Sequence, residues 1–159
     1  GAFVMFGDVE LTVHCAAELL KRAPEYDYLI APEAKAIPLL YEMARQSGAE
    51  KYFLARKGAK AYMTGVFEVE VRSITTMHIQ KLVIDTADAE MIKGKKVLIV
   101  DDVISTGESL HAMEELVKRA GGIIAGKMAV LAEGDAKDRD DIITLAPLPL
   151  FNADGSVKE

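Results

Sequence analysis

Lys96-Val97-Leu98-Ile99-Val100-Asp101-Asp102-Val103-Ile104-Ser105-Thr106-Gly107-Glu108-Ser109 decides the fold of this chain. Its apolar residues Val97 to Val100 run unbroken into two adjacent carboxylates, and a Ser/Thr/Gly turn then opens into a segment of helical periodicity. Val, Leu and Ile without alternation suit a strand covered on both faces, as in a parallel sheet layered by helices. The stretch therefore reads as a strand, an anion-binding turn and a helix N-terminus. In open sheets of this kind ligands bind beyond the carboxyl ends of the strands, where Asp101 and its successors fall. Backbone N–H groups and the hydroxyls of Ser105, Thr106 and Ser109 suit a terminal phosphate, whereas Asp101 and Asp102 accept hydrogen bonds and suit sugar hydroxyls. A phosphate beside a sugar describes a ribose 5-phosphate. The stretch has neither the Lys of a Walker A loop nor the spaced glycines of a dinucleotide fingerprint.

Downstream, Leu110, Met113, Leu116, Val117 and Ala120 form a helical stripe. Four-residue pairs Glu114–Lys118 and Glu115–Arg119 support it, and Gly121-Gly122 end it. Ile123 to Ala132 reads as another apolar strand, the acidic stretch Gly134 to Asp141 as a surface loop or turn, and Leu145 to Phe151, broken by Pro147 and Pro149, as an edge strand. Upstream, Gly1 to Phe6 has the composition of a short strand. Asp8 is a helix N-cap, followed by Val9, Val13, Ala16, Ala17, Leu20 and Ala23 at helical spacing until Pro24. His14 and Cys15 fall in this helix as ordinary positions, since no second Cys and no zinc-type His spacing accompany them. Tyr26 to Ala31 is a second strand, ended by Pro32. Glu33-Ala34-Lys35-Ala36 then lead into a helix with the face Ile37, Leu40, Tyr41 and Ala44, closed by Gly48.

Lys35 at that helix start suits an anion, through its charge and the helix dipole, or is simply solvated. Tyr52 to Ala55 is a third strand, and Arg56, Lys57 and Lys60 cluster after it around Gly58, either as a solvated loop or on the same rim as the other turns. Between Val66 and Asp85 the pattern alternates, with Phe67, Val69, Val71, Met77, Ile79 and Leu82 against polar neighbours. That predicts a two-stranded antiparallel arm projecting from the sheet, with His78 on its surface. Ala87 to Ile92 reads as a helical turn. The repeated strand-then-helix order predicts a single α/β domain over residues 1–159: a mostly parallel sheet flanked by helices, with a mobile arm at about 57–83.

Composition narrows the function. The 159 residues are 50% hydrophobic and 28% charged, with no apolar run near the ~18 residues that span a bilayer, so no membrane role is expected. A net charge of -6 argues against nucleic-acid binding, which needs a basic face, while leaving room for a local basic pocket. Cys15 stands alone and no signal-type layout opens the chain, which predicts a reducing cytoplasm. The chain begins at Gly1 and enters an apolar run at once, as expected if an upstream segment were absent or Gly1 were a processing remnant.

Val97 to Ser109 resembles the phosphoribosyl pyrophosphate motif of the type I phosphoribosyltransferases: apolar residues, two acids, two apolar residues, then a small residue, Thr and Gly. The wider chain is most similar to the adenine phosphoribosyltransferase group. Glu33-Ala34-Lys35-Ala36 matches its pyrophosphate loop, Arg56-Lys57-Gly58 the start of its mobile loop, and Leu145-Ala146-Pro147-Leu148-Pro149 its C-terminal strand. The resemblance implies a phosphoribosyltransferase enzyme of purine salvage. It would transfer a phosphoribosyl group from phosphoribosyl pyrophosphate to a nitrogen of a purine base, adenine favoured, giving the nucleoside monophosphate and pyrophosphate. Mg²⁺ would bridge the diphosphate, bound mainly through the substrate, and the assembly would be a homodimer. By resemblance, Asp101 and Asp102 hold the ribose hydroxyls, and Ser105, Thr106, Gly107, Glu108 and Ser109 hold the 5-phosphate. Lys35, set between Ala34 and Ala36, faces the pyrophosphate with Arg56, Lys57 and Lys60. Phe6 would stack on the base opposite Val103, with Ile104 in the same substrate-binding stretch; Phe6 also fits a plain core position. The transition state is cation-like at the ribose carbon, so the protein's task would be to neutralise the leaving diphosphate and exclude water.

Several positions depart from the pattern. Lys35 replaces a bidentate Arg with a point charge, Glu108 places an acid in the phosphate loop, and Ser109 stands where Thr is usual. Counting along the arm, the Glu-Tyr pair of the adenine enzymes falls on Val71-Arg72, and their Gly-Lys-x-Pro-Gly run is missing. Three alternatives stay open: transfer to another base such as xanthine or hypoxanthine, a regulator that senses phosphoribosyl pyrophosphate or nucleotide without turnover, and a phosphate-binding α/β domain of unrelated chemistry. An RNA-binding regulator fits the acidic charge poorly.

Overall fold

In a computed structural model, residues 5–73 and 77–158 are described. Strands β1 (Tyr28–Pro32), β2 (Phe53–Ala55), β5 (Lys96–Ile104), β6 (Ile123–Glu133) and β7 (Ile143–Leu148) form one parallel sheet in the order β2-β1-β5-β6-β7. Strands β3 (Val66–Arg72) and β4 (Ile79–Asp85) pair antiparallel as a separate two-stranded sheet. The helices are α1 (Val9–Arg22), α2 (Ile37–Ser47), α3 (Thr86–Ile92) and α4 (Glu108–Arg119).

The central strand β5 explains its own composition. Val97, Leu98, Ile99 and Val100 are all almost completely buried. Val97 and Ile99 pack in a cluster with Leu110, Met113 and Val117 of α4, whereas Leu98 and Val100 pack in a second cluster with Leu19 of α1 and Leu39 and Met43 of α2. Two covered faces leave no position for a polar alternate until the strand reaches its carboxyl end. The strand also runs further than its apolar residues suggest. Asp101 to Ile104 continue it, with Asp101 in register with Ala129 of β6, so both carboxylates stand on a strand rather than on a loop.

The helix ends follow their signals. Asp8 Oδ1 accepts the N–H of Leu11 at 2.9 Å, capping α1, and Gly48 closes α2 in the left-handed conformation at φ 71°. The buried face of α1 is rotated from the expected one: Thr12, Cys15, Ala16 and Leu19 face the core, while Val9 is 76% exposed. On α2, Leu39, Leu40, Met43 and Ala44 are buried, and Tyr41 is turned out. Most of the strand expected over Gly1 to Phe6 lies outside the described residues; Met5 is buried and Phe6 sits half exposed in a turn before α1.

The largest difference concerns the arm. It does not project: Val69, Val71, Leu82 and Ile84 are buried in the same cluster as Leu110, Met113 and Val117 of α4. Val83 is buried as well, and its N–H and C=O exchange 2.8 Å hydrogen bonds with the backbone of Arg56. Period-two alternation reports that one face is covered, and here helix α4 covers it. Only the far end, with Met77 fully exposed and Ile79 half exposed, stands clear; Ile74, Thr75 and Thr76 lie outside the described residues. The acidic stretch takes the turn form. Residues 134–138 form a 3₁₀ turn that buries Ala136, and β7 begins at Ile143, before the expected Leu145.

Candidate functional site

Beyond the carboxyl ends of β1 and β5 lies a cavity of about 560 Å³. Its floor is Asp101, Asp102 and Val103, one wall is the turn carrying Ala34 and Lys35, and the opposite wall is the arm, through His78, Gln80 and Lys81. A smaller recess of about 120 Å³ adjoins it, formed by Val103, Ile104, Ser105, Thr106, Gly107 and Ser109. Asp101, Val103 and Ser109 border both. The pair of cavities thus has a carboxylate floor, a hydroxyl-rich recess at the N-terminus of α4, and a cationic wall.

The two carboxylates differ in environment. Asp101 Oδ1 accepts the N–H of Asp102 at 2.8 Å. Burial, then its contact with Asp102, pushes the Asp101 carboxyl up to about 8. Asp102 is only 5% exposed, and its Oδ2 is buried with no hydrogen-bond partner. Lys35 Nζ approaches that oxygen at 3.9 Å from a side chain that is 57% exposed. A buried acceptor left unsatisfied costs ~1–3 kcal/mol, so a hydroxyl donor entering the cavity would relieve a cost already present. Lys35 therefore belongs to the cavity and is not merely solvated.

Around Lys35, the neighbours divide by role. Ala34 is exposed and lines the cavity, whereas Ala36 is fully buried as the N-cap residue of α2, where no side chain caps the helix. Of the basic cluster, Lys57 lines the cavity and Lys60 does not. Arg56 is held elsewhere: its Nε lies 3.0 Å from Glu33 Oε2, off hydrogen-bond alignment, and Glu33 Oε1 accepts the N–H of Lys57 at 2.7 Å. Glu33 thus joins the turn after β1 to the turn after β2. Sequence reasoning gave it no role, although an acid preceding a basic cluster was the available signal.

In the phosphate-type loop, Gly107 takes φ 82° as the N-cap of α4, a conformation other residues adopt only with strain. Thr106 Oγ1 accepts the N–H of Glu108 at 3.4 Å. Glu108 itself does not line the recess. Its carboxylate accepts a hydrogen bond from the Ser73 hydroxyl, and it lines a separate cavity of about 160 Å³ between the arm and α4. Val71 and Arg72, where an arm carboxylate was sought, line that separate cavity too. Phe6 is 49% exposed, which removes its plain-core reading, and is not among the residues lining the main cavity. His78 is exposed, as expected of a surface residue, and also borders the main cavity.

Residues 12–147 match the phosphoribosyl transferase domain family. An adenine phosphoribosyltransferase from Thermotoga sp. (strain RQ2) is 36% identical over 110 residues, covering 69% of this chain and 60% of the relative. An orotate phosphoribosyltransferase from Caldanaerobacter subterraneus subsp. tengcongensis is 30% identical, covering 70% of this chain and 47% of the relative. The chain spans about 60% of the length of the adenine-enzyme relatives it matches. The crystal structure of adenine phosphoribosyltransferase from Thermoanaerobacter pseudethanolicus superposes with a TM-score of 0.73 at 24% identity, covering 89% of this chain and 83% of that one. The parallel sheet, the carboxylate pair at the end of its central strand and the match over nearly the whole chain agree: the chain belongs to the phosphoribosyl transferase domain family.

Proposed function

We propose that this protein transfers a phosphoribosyl group from phosphoribosyl pyrophosphate to a purine base, adenine first among the candidates, in purine salvage. The observation that carries the reading is the buried Oδ2 of Asp102, which has no hydrogen-bond partner and lies 3.9 Å from Lys35 Nζ on the floor of the main cavity. In this reading Asp101 and Asp102 accept the ribose hydroxyls, and the hydroxyls and N–H groups of Ser105 to Ser109 take the 5-phosphate. Lys35 and Lys57 face the diphosphate as it leaves, supplying fixed positive charge where negative charge develops. Arg56 acts through Glu33, and the arm wall excludes water from the ribose carbon.

Among the described residues no group of His, Cys, Asp or Glu forms a metal cage. In the proposed reading a Mg²⁺ ion would be held mainly by the substrate's own diphosphate, beside Lys35 and Lys57, and would neutralise charge on the leaving group. A homodimer working in the cytoplasm belongs to the same reading. The test is a scan of adenine, hypoxanthine, guanine and xanthine with phosphoribosyl pyrophosphate and Mg²⁺. Pyrophosphate release with one of them is expected, and no release with any refutes the reading.

A second reading, a sensor without turnover, is favoured by one feature: the arm places Val71 and Arg72 against α4 rather than a carboxylate against the main cavity. Melting shifts separate the two. A ligand at 100 times its Kd adds about 2.7 kcal/mol of stability, so a shift without pyrophosphate release supports the sensor.

A further inference from the structure

Outside the carboxylate floor, the most connected group of charged side chains lies behind the phosphate-type loop. Lys127 stands on β6 in register with Ile99, only 15% exposed, so its ammonium needs partners. It has two: Glu114 Oε1 of α4 at 3.1 Å and Asp141 Oδ2 at 2.7 Å. Asp141 in turn takes Arg139 in a two-point fork, Nε to Oδ1 at 2.8 Å and Nη2 to Oδ2 at 2.7 Å. The fork leaves Nη1 aimed at the loop: a Cβ added to Gly107 would meet it at 2.7 Å. Glu114 lies on α4 and Gly107 caps it, so the chain of contacts leaves α4, crosses β6 and returns to the helix N-terminus.

We propose that Arg139 is a positioning residue of the phosphate loop: fixed by the Asp141 fork, its guanidinium packs on Gly107 and holds the loop in the shape that receives the ribose 5-phosphate. This rests on the transfer reading above. The charges of Glu114, Lys127, Asp141 and Arg139 sum to zero, so the device works by shape and not by adding positive field. A Lys at position 139 would keep the charge but lose the planar fork. The residue types in 134–141 look like a solvated acidic loop in sequence, and only the fold brings them against Gly107.

The test is binding of ribose 5-phosphate and of pyrophosphate with Mg²⁺, by calorimetry, to the full chain and to Arg139→Gln, Arg139→Lys and Asp141→Asn. All three variants are expected to raise the Kd for ribose 5-phosphate by about tenfold, since a loosened loop misplaces its donors by a fraction of an ångström. Pyrophosphate affinity, which depends on Lys35 and Lys57, stays unchanged, and the KM for phosphoribosyl pyrophosphate rises with kcat retained, as expected when uniform binding is lost. Full retention of ribose 5-phosphate affinity in Arg139→Lys, or unchanged affinity in all three variants, overturns the positioning role. Failure of the unaltered chain to bind ribose 5-phosphate refutes the phosphate-loop reading itself, and the role of Arg139 with it. Three variants on two residues keep the test standing if one of them fails to fold.

Discussion

Replacing Asp101 by Asn should flatten the fall of stability with pH, because that carboxyl carries a proton in the folded chain that the unfolded chain gives up. Burial beside Asp102 raises its pKa to about 8, whereas an unfolded Asp titrates near ~3.9. Between those values the folded state binds more protons than the unfolded one, so stability falls as pH rises, by about 1.4 kcal/mol per unit for one group. From pH 5 to pH 8 the accumulated loss is on the order of a few kcal/mol and belongs to the Asp101–Asp102 pair, which titrates as a unit. Asn imitates the protonated acid: its carbonyl can accept the Asp102 N–H that Oδ1 accepts at 2.8 Å, and its amide can donate to the Asp102 carboxylate. Two lowered carboxylates act outside this window. Glu42, held down to about 2 by hydrogen bonds from Arg45 and Gln46, contributes stability that is complete above its unfolded value and is lost only in acid. Asp141, lowered by Arg139 and then Lys127, behaves the same way. The assay is urea unfolding of both chains at pH 5, 6, 7 and 8, taking the difference in midpoint at each pH so that the histidines cancel. A gap that widens toward pH 8 in favour of Asn is expected. Parallel curves would show that no proton is held at Asp101.

Three further outcomes follow from named contacts. Asp102→Asn and Thr106→Val should each weaken phosphoribosyl pyrophosphate binding at least tenfold, a loss of about 1.4 kcal/mol or more, while urea midpoints move little; unchanged affinity in both removes the site assignment. Glu33→Ala should free Arg56 and remove the acceptor of the 2.7 Å hydrogen bond from the Lys57 N–H, loosening the turn between β2 and the arm. Faster amide exchange at Lys57 is the signal, and unaltered exchange refutes the link. Phe53, 1% exposed with its ring edge-on to Tyr28 at 5.0 Å between centroids, anchors the short edge strand β2. Phe53→Ala should cost ~3–5 kcal/mol, read as a drop in Tm of roughly 10 °C by differential scanning calorimetry.

Legibility in the sequence tracks the range of the interaction. The central strand is legible because two covered faces force four consecutive apolar residues, and the capping of α1 because Asp8 and Leu11 lie within one turn. The phosphate-type turn is legible for the same reason, since Ser105 to Ser109 are contiguous. Long-range placement is not. Alternation over Val69 and Val71 reports a covered face without naming helix α4 as the cover. Helical spacing pairs Glu114 with Lys118, yet it reaches across to Lys127 on β6, because a mostly buried ammonium needs a partner more than an exposed one does. The α1 face departs from its apolar pattern because its inner stripe includes the polar Thr12, whose hydroxyl donates to the Asp8 carbonyl at 2.7 Å, while apolar Val9 lies outside.

The same distinction separates the two halves of the site. In the proposed reading the sugar-phosphate half is one continuous segment, from Asp101 on β5 to Ser109 on α4, and its strand part, Asp101 to Ile104, is fixed by pairing with β6, while pairing with β1 ends at Ile99. A rigid element of this kind holds ligand-facing groups more closely than a loop does. The opposite wall is assembled from three separate places: the turn after β1, the turn after β2 and the arm. Lys35 and Lys57, proposed to face an anion, are exposed lysines on short turns, with Lys35 Nζ 3.9 Å from Asp102 Oδ2 and the Lys57 N–H donating to Glu33. Substitutions in the first half should therefore act on affinity one residue at a time. Those in the second should act in groups, because moving Glu33 shifts Arg56 and Lys57 together, and double-mutant cycles within that wall will show coupling that cycles across the two halves do not.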